Sequence, residues 1–233
     1  GAPTGDAPVS DGPAAAFCRR ASHTFCADFD GADYLAGWDG PERTPEGALT
    51  SDPDNVSPPR SLHCDTPAGA PSTNGSSRLR KLLPYSPSRA HLEFELKLSA
   101  LPTDPNAEIE LIKFQALTND NIGIELKADG NGCFVDVEEI TDAGVNVHDR
   151  RDLRQPIPTG RWVHVAIDVV FSNAGSGAVT LTFDGASTPA VAATNVRSGS
   201  SEGYGKLLVG LYRFGPTAAT TALFDDVALD LQP

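Results

Sequence analysis

The sequence has no methionine, only two tryptophans and four tyrosines, and few cations: 18 Lys and Arg against 31 Asp and Glu, a formal net charge of −13. A surface that acidic repels phosphate backbones and anionic headgroups, so charge excludes nucleic acid and an acidic membrane surface as partners. Acidity of this kind chiefly serves solubility, with cation binding as its other use. No run of about 18 apolar residues occurs, so no membrane-spanning helix is expected. Neither an initiator methionine nor a secretory leader opens it, the pattern expected of a mature or trimmed chain. None of the four cysteines forms a Cys-x-x-Cys pair, which removes the usual zinc-module spacing. Helical windows are missing too, because 22 glycines and 19 prolines interrupt nearly every stretch long enough for one.

What is present is period-two alternation. In residues 90–98, Ala90, Leu92, Phe94, Leu96 and Leu98 interleave with His91, Glu93, Glu95 and Lys97, as in a strand with one buried face. Ile122, Ile124 and Leu126 repeat the pattern with Glu125 and Lys127 between. The turn Ala128–Gly132 then leads into Cys133, Val135 and Val137, which makes a hairpin. Val163–Phe171, Val179–Phe183, Leu207–Leu211 and Leu223–Leu231 read as further strands. Residues 108–117 fit either a helix, through Ile109, Ile112 and Ala116, or a strand carrying a bulge. Strands at this spacing predict an all-β fold, a two-sheet antiparallel sandwich or a barrel. Residues 1–16, rich in Gly, Ala and Pro, read as a flexible leader or tether, and 17–233 as a single domain.

An even number of cysteines in a chain rich in Ser, Thr, Gly and Pro points to disulfides and an oxidising compartment. Four cysteines allow three pairings. The preferred one joins Cys18 to Cys26 across a short loop and Cys64 to Cys133 between two strands, with free buried thiols as the alternative.

Landmarks in order along the chain carry a resemblance. They are FCADFDG (25–31) with Gly37-Trp38, PPRSLHC (58–64), GRWVHVAIDV (160–169), LTFDG (181–185), LLVGLY (207–212) and LFDDVALD (223–230). The chain resembles the concanavalin A-like lectin/glucanase superfamily, in particular laminin-G-like jelly rolls of exported bacterial proteins. The resemblance implies a jelly-roll sandwich, secretion or display at the cell surface, and a glycan as partner.

Catalytic motifs of that superfamily are broken here. Its hydrolases use Glu-x-Asp-x-x-Glu, which sets two carboxyls on one strand face. The nearest stretch is Glu108-Ile109-Glu110-Leu111-Ile112-Lys113, where Lys113 stands at the acid/base position. Asp136-Val137-Glu138-Glu139 reads as a solvated strand edge. Its alginate-lyase relatives use Gln-x-His, which is absent, and Tyr212-Arg213-Phe214 only echoes their tyrosine motif. The five histidines (23, 63, 91, 148, 164) are scattered and read as structural or surface residues. The expected function is therefore a secreted or cell-surface carbohydrate-binding module without catalytic activity. Its sugar candidates are Trp38, Glu93, Glu95, Glu125 and Tyr212. The alternatives are a structural or adhesive surface protein that binds a protein partner, and an atypical polysaccharide lyase or glycoside hydrolase. A structural Ca²⁺ is expected at Asp28, Asp30 and Asp225. Period two places Asp225 on the core side of the last strand, where a lone carboxylate needs partners and calcium accepts many oxygens. The other readings of Asp225 are a cap for backbone amides and a place beyond the core edge, with its neighbour exposed.

Overall fold

The computed structural model describes residues 17–19, 21–68, 74–104, 107–116, 122–140, 145–153, 157–172, 174–196, 203–215 and 218–233. The proposed leader 1–16 lies outside them. Fifteen strands follow a short 3-10 turn at Phe17–Arg19: β1 (Phe25–Ala27), β2 (Pro41–Arg43), β3 (Ala48–Asp52), β4 (Ser61–Thr66), β5 (Gly75–Leu82), β6 (Arg89–Leu98), β7 (Glu108–Ala116), β8 (Gly123–Asp129), β9 (Gly132–Ile140), β10 (Asn146–Asp152), β11 (Val163–Val170), β12 (Gly177–Phe183), β13 (Val191–Val196), β14 (Tyr204–Phe214) and β15 (Thr220–Gln232). Among the described residues there is no α-helix.

The strands form two antiparallel sheets. One runs β13-β12-β11-β6-β15-β4-β3, with β1 also paired to β15; the other runs β10-β9-β8-β7-β14-β5-β2. First and last strands are neighbours, Cys26 lying opposite Ala228. Between the sheets lies one core, built from the apolar half of each alternation. β6 buries Ala90, Leu92, Phe94, Leu96 and Leu98, and Phe94 packs on Phe224 of β15 with ring centroids 5.9 Å apart. Burying side chains of this size contributes roughly 2–3 kcal/mol each, which fixes the register of every strand that supplies one.

Within the stretch 108–117, the described residues 108–116 form a strand, β7, not a helix. The register of β7 on β8 slips between Glu110 and Ile112, and Ile109, Leu111, Ile112, Phe114 and Ala116 all enter the core. That bulge resolves the two readings of the segment.

Cys18 and Cys26 form a disulfide. Cys64 and Cys133 are buried free thiols, so the second expected disulfide is corrected. Cys64 sits on β4, near one edge of its sheet, whereas Cys133 sits on β9, near the opposite end of the facing sheet. Both fall on strands expected from sequence, but strand order separates them. Burial raises both thiols, Cys133 to about 12, and leaves them inert near neutral pH.

Candidate functional site

The outer face of the seven-stranded sheet, turned away from the core, carries charge where an ordinary solvent face would be diluted by water. Its side chains follow from the same alternation. On β8, Ile124, Leu126 and Ala128 face inward, leaving Glu125, Lys127 and Asp129 outside. On β9, Cys133, Val135 and Val137 face inward, leaving Phe134, Asp136 and Glu138. β10 sets His148 opposite Glu138 and Arg150 opposite Asp136. The β7 bulge lets Glu110, Lys113 and Gln115 share this face, opposite Lys127, Glu125 and Gly123. From the other side come Tyr212 and Phe214 of β14, Arg78 of β5 and Glu42 of β2, with Tyr212 opposite Glu110.

These groups form one ion network. Lys127 Nζ lies 3.0 Å from Asp136, 3.3 Å from Glu138, and against Glu125. Lys113 also contacts Glu125 and lies 3.3 Å from Glu138. Arg78 clasps Glu110 and reaches Glu42 at 3.1 Å. Arg150 binds Asp129 at 2.7 Å, with its guanidinium 3.7 Å from the Phe134 ring centre. His148 Nδ1 is 2.9 Å from Asp136.

Burial and charge oppose one another at each group. At Glu110 burial prevails over Arg78 and lifts the carboxyl to about 7. Burial would also raise Glu125, but the ammoniums of Lys113 and Lys127 hold it below the usual carboxylate range. Glu138 is raised, by burial and then by the charge of Glu125. Burial alone would discharge Lys127; Glu125, Asp136 and Glu138 keep it firmly protonated. Stability alone does not account for such a network, because apolar side chains of similar volume stabilise a sheet at least as well as buried ion pairs.

The face is hollowed. A cavity of about 500 Å³ lies at the β9–β10 end, bordered by Asn131, Arg150, Asp152 and Leu153. A second, of about 250 Å³, is lined by Glu42, Arg78, Glu110, Lys113, Gln115, Glu138, Tyr212 and Phe214. In the second hollow Arg78 lies 4.6 Å from the Tyr212 ring centre, and Asn74 donates to the Tyr212 hydroxyl at 3.0 Å.

The five sugar candidates do not converge. Trp38 is a core residue, edge-on to Phe25 at 4.8 Å and stacked on Phe29 at 6.3 Å, so it offers no platform. Glu93 and Glu95 lie on the outer face of the other sheet, where Glu95 pairs with His164 at 3.0 Å. Glu125 is on the charged face but only 1% exposed beneath two lysines, out of reach of a sugar. Tyr212 alone stands in the hollow. The sequence reading missed Arg78, Gln115, Lys127 and His148. It also took Asp136 and Glu138 for a solvated edge, although both are buried by the cations of neighbouring strands. The signal lay in the charged half of the alternation: Glu125 and Lys127 on β8 share an outer face with Asp136 and Glu138 on β9, and Lys127 reaches all three acids.

Around Asp225 the structure shows the amide-capping arrangement. Asp225 is fully buried, and its Oδ2 accepts from Val56 N at 2.9 Å and Ser57 N at 3.0 Å. Asp226 accepts from the Ser57 hydroxyl at 2.7 Å. Burial, and then the charges of Glu95, Asp30 and Asp28, raise the Asp226 carboxyl to about 6 against the Ser57 hydrogen bond.

No family model matches the chain, and no curated protein does. Solved structures do. An endo-β-1,4-glucuronan lyase from the fungus Trichoderma reesei superposes with a TM-score of 0.75 at 16% identity, over 91% of this chain and 96% of that one. The marine PL-14 alginate lyase from Aplysia kurodai gives 0.63 at 9% identity, over 91% and 100%. A receptor-binding domain of botulinum neurotoxin type G gives 0.53 at 10% identity, over 91% of this chain and 48% of that one. The chain therefore has the concanavalin A-like jelly-roll fold, one that serves carbohydrate-processing enzymes and also a receptor-binding domain. Such a likeness fixes architecture and leaves function to the site.

Proposed function

We propose that the chain depolymerises a uronate-containing polysaccharide by β-elimination in the 250 Å³ hollow, and that it acts outside the cell. The observation that carries this is the convergence of Tyr212, Arg78 and Gln115 on one cavity of the charged sheet face. β-Elimination removes the proton α to a uronate carboxylate, then expels the glycosidic oxygen at the β-position, which takes a proton. It needs a group that neutralises the carboxylate and a group that moves protons. Arg78 and Gln115 serve the first need: a forked guanidinium and an amide donor suit a carboxylate. Tyr212 serves the second, because a phenol oxygen both accepts and donates a proton. Glu110 is a positioning residue, holding Arg78 from beneath. The fold's likeness to a glucuronan lyase and an alginate lyase supports this reading over the non-catalytic binding module expected from sequence.

The test is incubation with glucuronan, alginate and a neutral β-glucan, following the ultraviolet absorbance of unsaturated uronate ends. Expected is product from a polyuronate, lost by at least about 100-fold in Tyr212→Phe with the fold intact by circular dichroism. Binding of a polyuronate without any unsaturated product would return the chain to the lectin-like reading. New reducing ends without unsaturation would make it a hydrolase.

The reading includes a structural calcium ion at Asp28 and Asp30 of the first strand region and the Asp225–Asp226 pair of β15. The donor set suits a hard cation that collects carboxylate oxygens. Its support is Asp30 Oδ1, which is shut off from solvent without a hydrogen-bond partner among the described residues. Burial and the charge of Asp28 raise Asp30, as expected of acids gathered without a cation.

A further inference from the structure

We propose that Asp136, Glu138 and His148 form a site for a borderline divalent cation such as Zn²⁺, in which the metal ion displaces the ammonium of Lys127. The three side chains are brought together by strand register, since His148 lies opposite Glu138 and Asp136 precedes Glu138 by two residues on one face of β9. One ligand atom from each lies within 4.8 Å of the other two. His148 Nδ1 is 2.9 Å from Asp136 Oδ2 and 3.3 Å from Glu138 Oε1. Four-coordinate zinc with bonds of ~2.1 Å places neighbouring donors ~3.4 Å apart, close to the two separations that His148 Nδ1 makes.

Three further observations point to a cation at this place. Asp136 Oδ1 is buried without a hydrogen-bond partner among the described residues, so a strong acceptor is left over beside the donor set. The donors already hold a cation: Lys127 Nζ lies 3.0 Å from Asp136 Oδ2 and 3.3 Å from Glu138 Oε1. The network is also acidic in sum. In formal charge Glu42, Glu110, Glu125, Asp129, Asp136, Glu138 and Asp152 outnumber Arg78, Arg80, Lys113, Lys127 and Arg150 by two. A divalent ion cancels that excess, whereas Lys127 is already counted in it.

Imidazole with two carboxylates favours zinc, copper or nickel over calcium, which takes oxygens. His148 is half exposed, so an ion reaches the donors from solvent. Lys127 is a tethered competitor, and its flexible stem lets the ammonium withdraw to Glu125, which it also contacts. Glu138 lines the 250 Å³ hollow as well, so occupancy alters the charge of one of its walls. The inference stands apart from the lyase reading, because metal affinity is measured without substrate.

The competition predicts opposite effects for two substitutions. Zn²⁺ is titrated calorimetrically into the full chain in excess Ca²⁺, so that Asp28, Asp30, Asp225 and Asp226 are not counted. Expected is one Zn²⁺ per chain, bound at least about tenfold more weakly by His148→Gln and about tenfold more tightly by Lys127→Met. Cu²⁺ loaded at one equivalent should show coupling to a single imidazole nitrogen by electron paramagnetic resonance, absent in His148→Gln. That measurement decides the matter if Lys127→Met does not fold. Equal Zn²⁺ affinity of wild type and His148→Gln, or a Cu²⁺ signal unchanged by that substitution, overturns the site.

Discussion

Glu110 and Lys113 face the same side of β7 although they are three residues apart, because the bulge at Leu111 inserts one extra residue between them. Strict alternation sends positions three apart to opposite faces. The bulge sets the buried acid of the Arg78 pair beside the lysine that clasps Glu125, which joins the two halves of the ion network.

Glu110 makes the fold pH-dependent, with a definite sign. Its carboxyl rises from the ordinary 4.5 to about 7, first because it is buried. A raised acid holds its proton more tightly in the folded chain, so it adds stability at low pH and loses it as pH climbs from about 4.5 to about 7. Glu110→Gln removes this dependence. Thermal melts at pH 5 and pH 8 should show the variant gaining on wild type by several degrees at the higher pH. A melting-temperature gap independent of pH would mean that Glu110 ionises normally.

Gly210 sets how closely β14 approaches β5 beside Arg78. Its φ is +137°, and a Cβ there would lie 2.4 Å from Ser77 O and 2.7 Å from Arg78 Cα, both backbone atoms that cannot yield. Gly210→Ala should cost about 3 kcal/mol, combining overpacking with backbone strain, and should move Arg78 relative to Tyr212. Denaturant unfolding measures the loss. A cost under about 1 kcal/mol would show that the strands part easily at this point.

The sandwich was readable from sequence because alternation reports burial directly. Ala90 to Leu98, Val163 to Val169 and Val179 to Phe183 each bury the half that the pattern names. Strand order was not readable, since it depends on which apolar faces meet across the core; hence Cys64 and Cys133 looked like partners and lie far apart in the strand order. The candidate site was half visible. Alternation gives Glu125, Lys127, Asp136 and Glu138 one outer face, but only the folded sheet shows that Lys127 bridges the three acids and that all four are buried. Arg78 enters through the long-range pairing of β5 with β14, and His148 through the register of β10 on β9, neither of which local pattern records.

Trp38 offers a clean separation of core from ligand contacts. It is packed between Phe25 and Phe29, away from the charged face. Trp38→Ala should destabilise the chain by about 3–5 kcal/mol, whereas Trp38→Phe keeps most of the packing. Polysaccharide affinity of the Phe variant, measured by affinity electrophoresis, should equal that of wild type. A selective loss of affinity would return Trp38 to the sugar site.

The calcium reading makes a prediction in which a substitution and a chelator have the same effect. A ligand that binds only the folded chain stabilises it by about 4 kcal/mol at a thousandfold excess over its Kd. EDTA should therefore lower the melting temperature of wild type by several degrees, and added Ca²⁺ should restore it. Asp226→Asn should melt low from the outset and ignore both, since Asp226 meets the charge of Asp28 and Asp30. Asp225→Ala should melt low as well, through the lost caps on Val56 and Ser57 that hold the 53–59 loop against β15. The two variants thus separate the ion from the cap: Asp225→Asn, which leaves one oxygen to accept those amides, should recover part of the loss without restoring the full response to EDTA. If EDTA leaves wild type unmoved, the aspartates hold the loop and no ion.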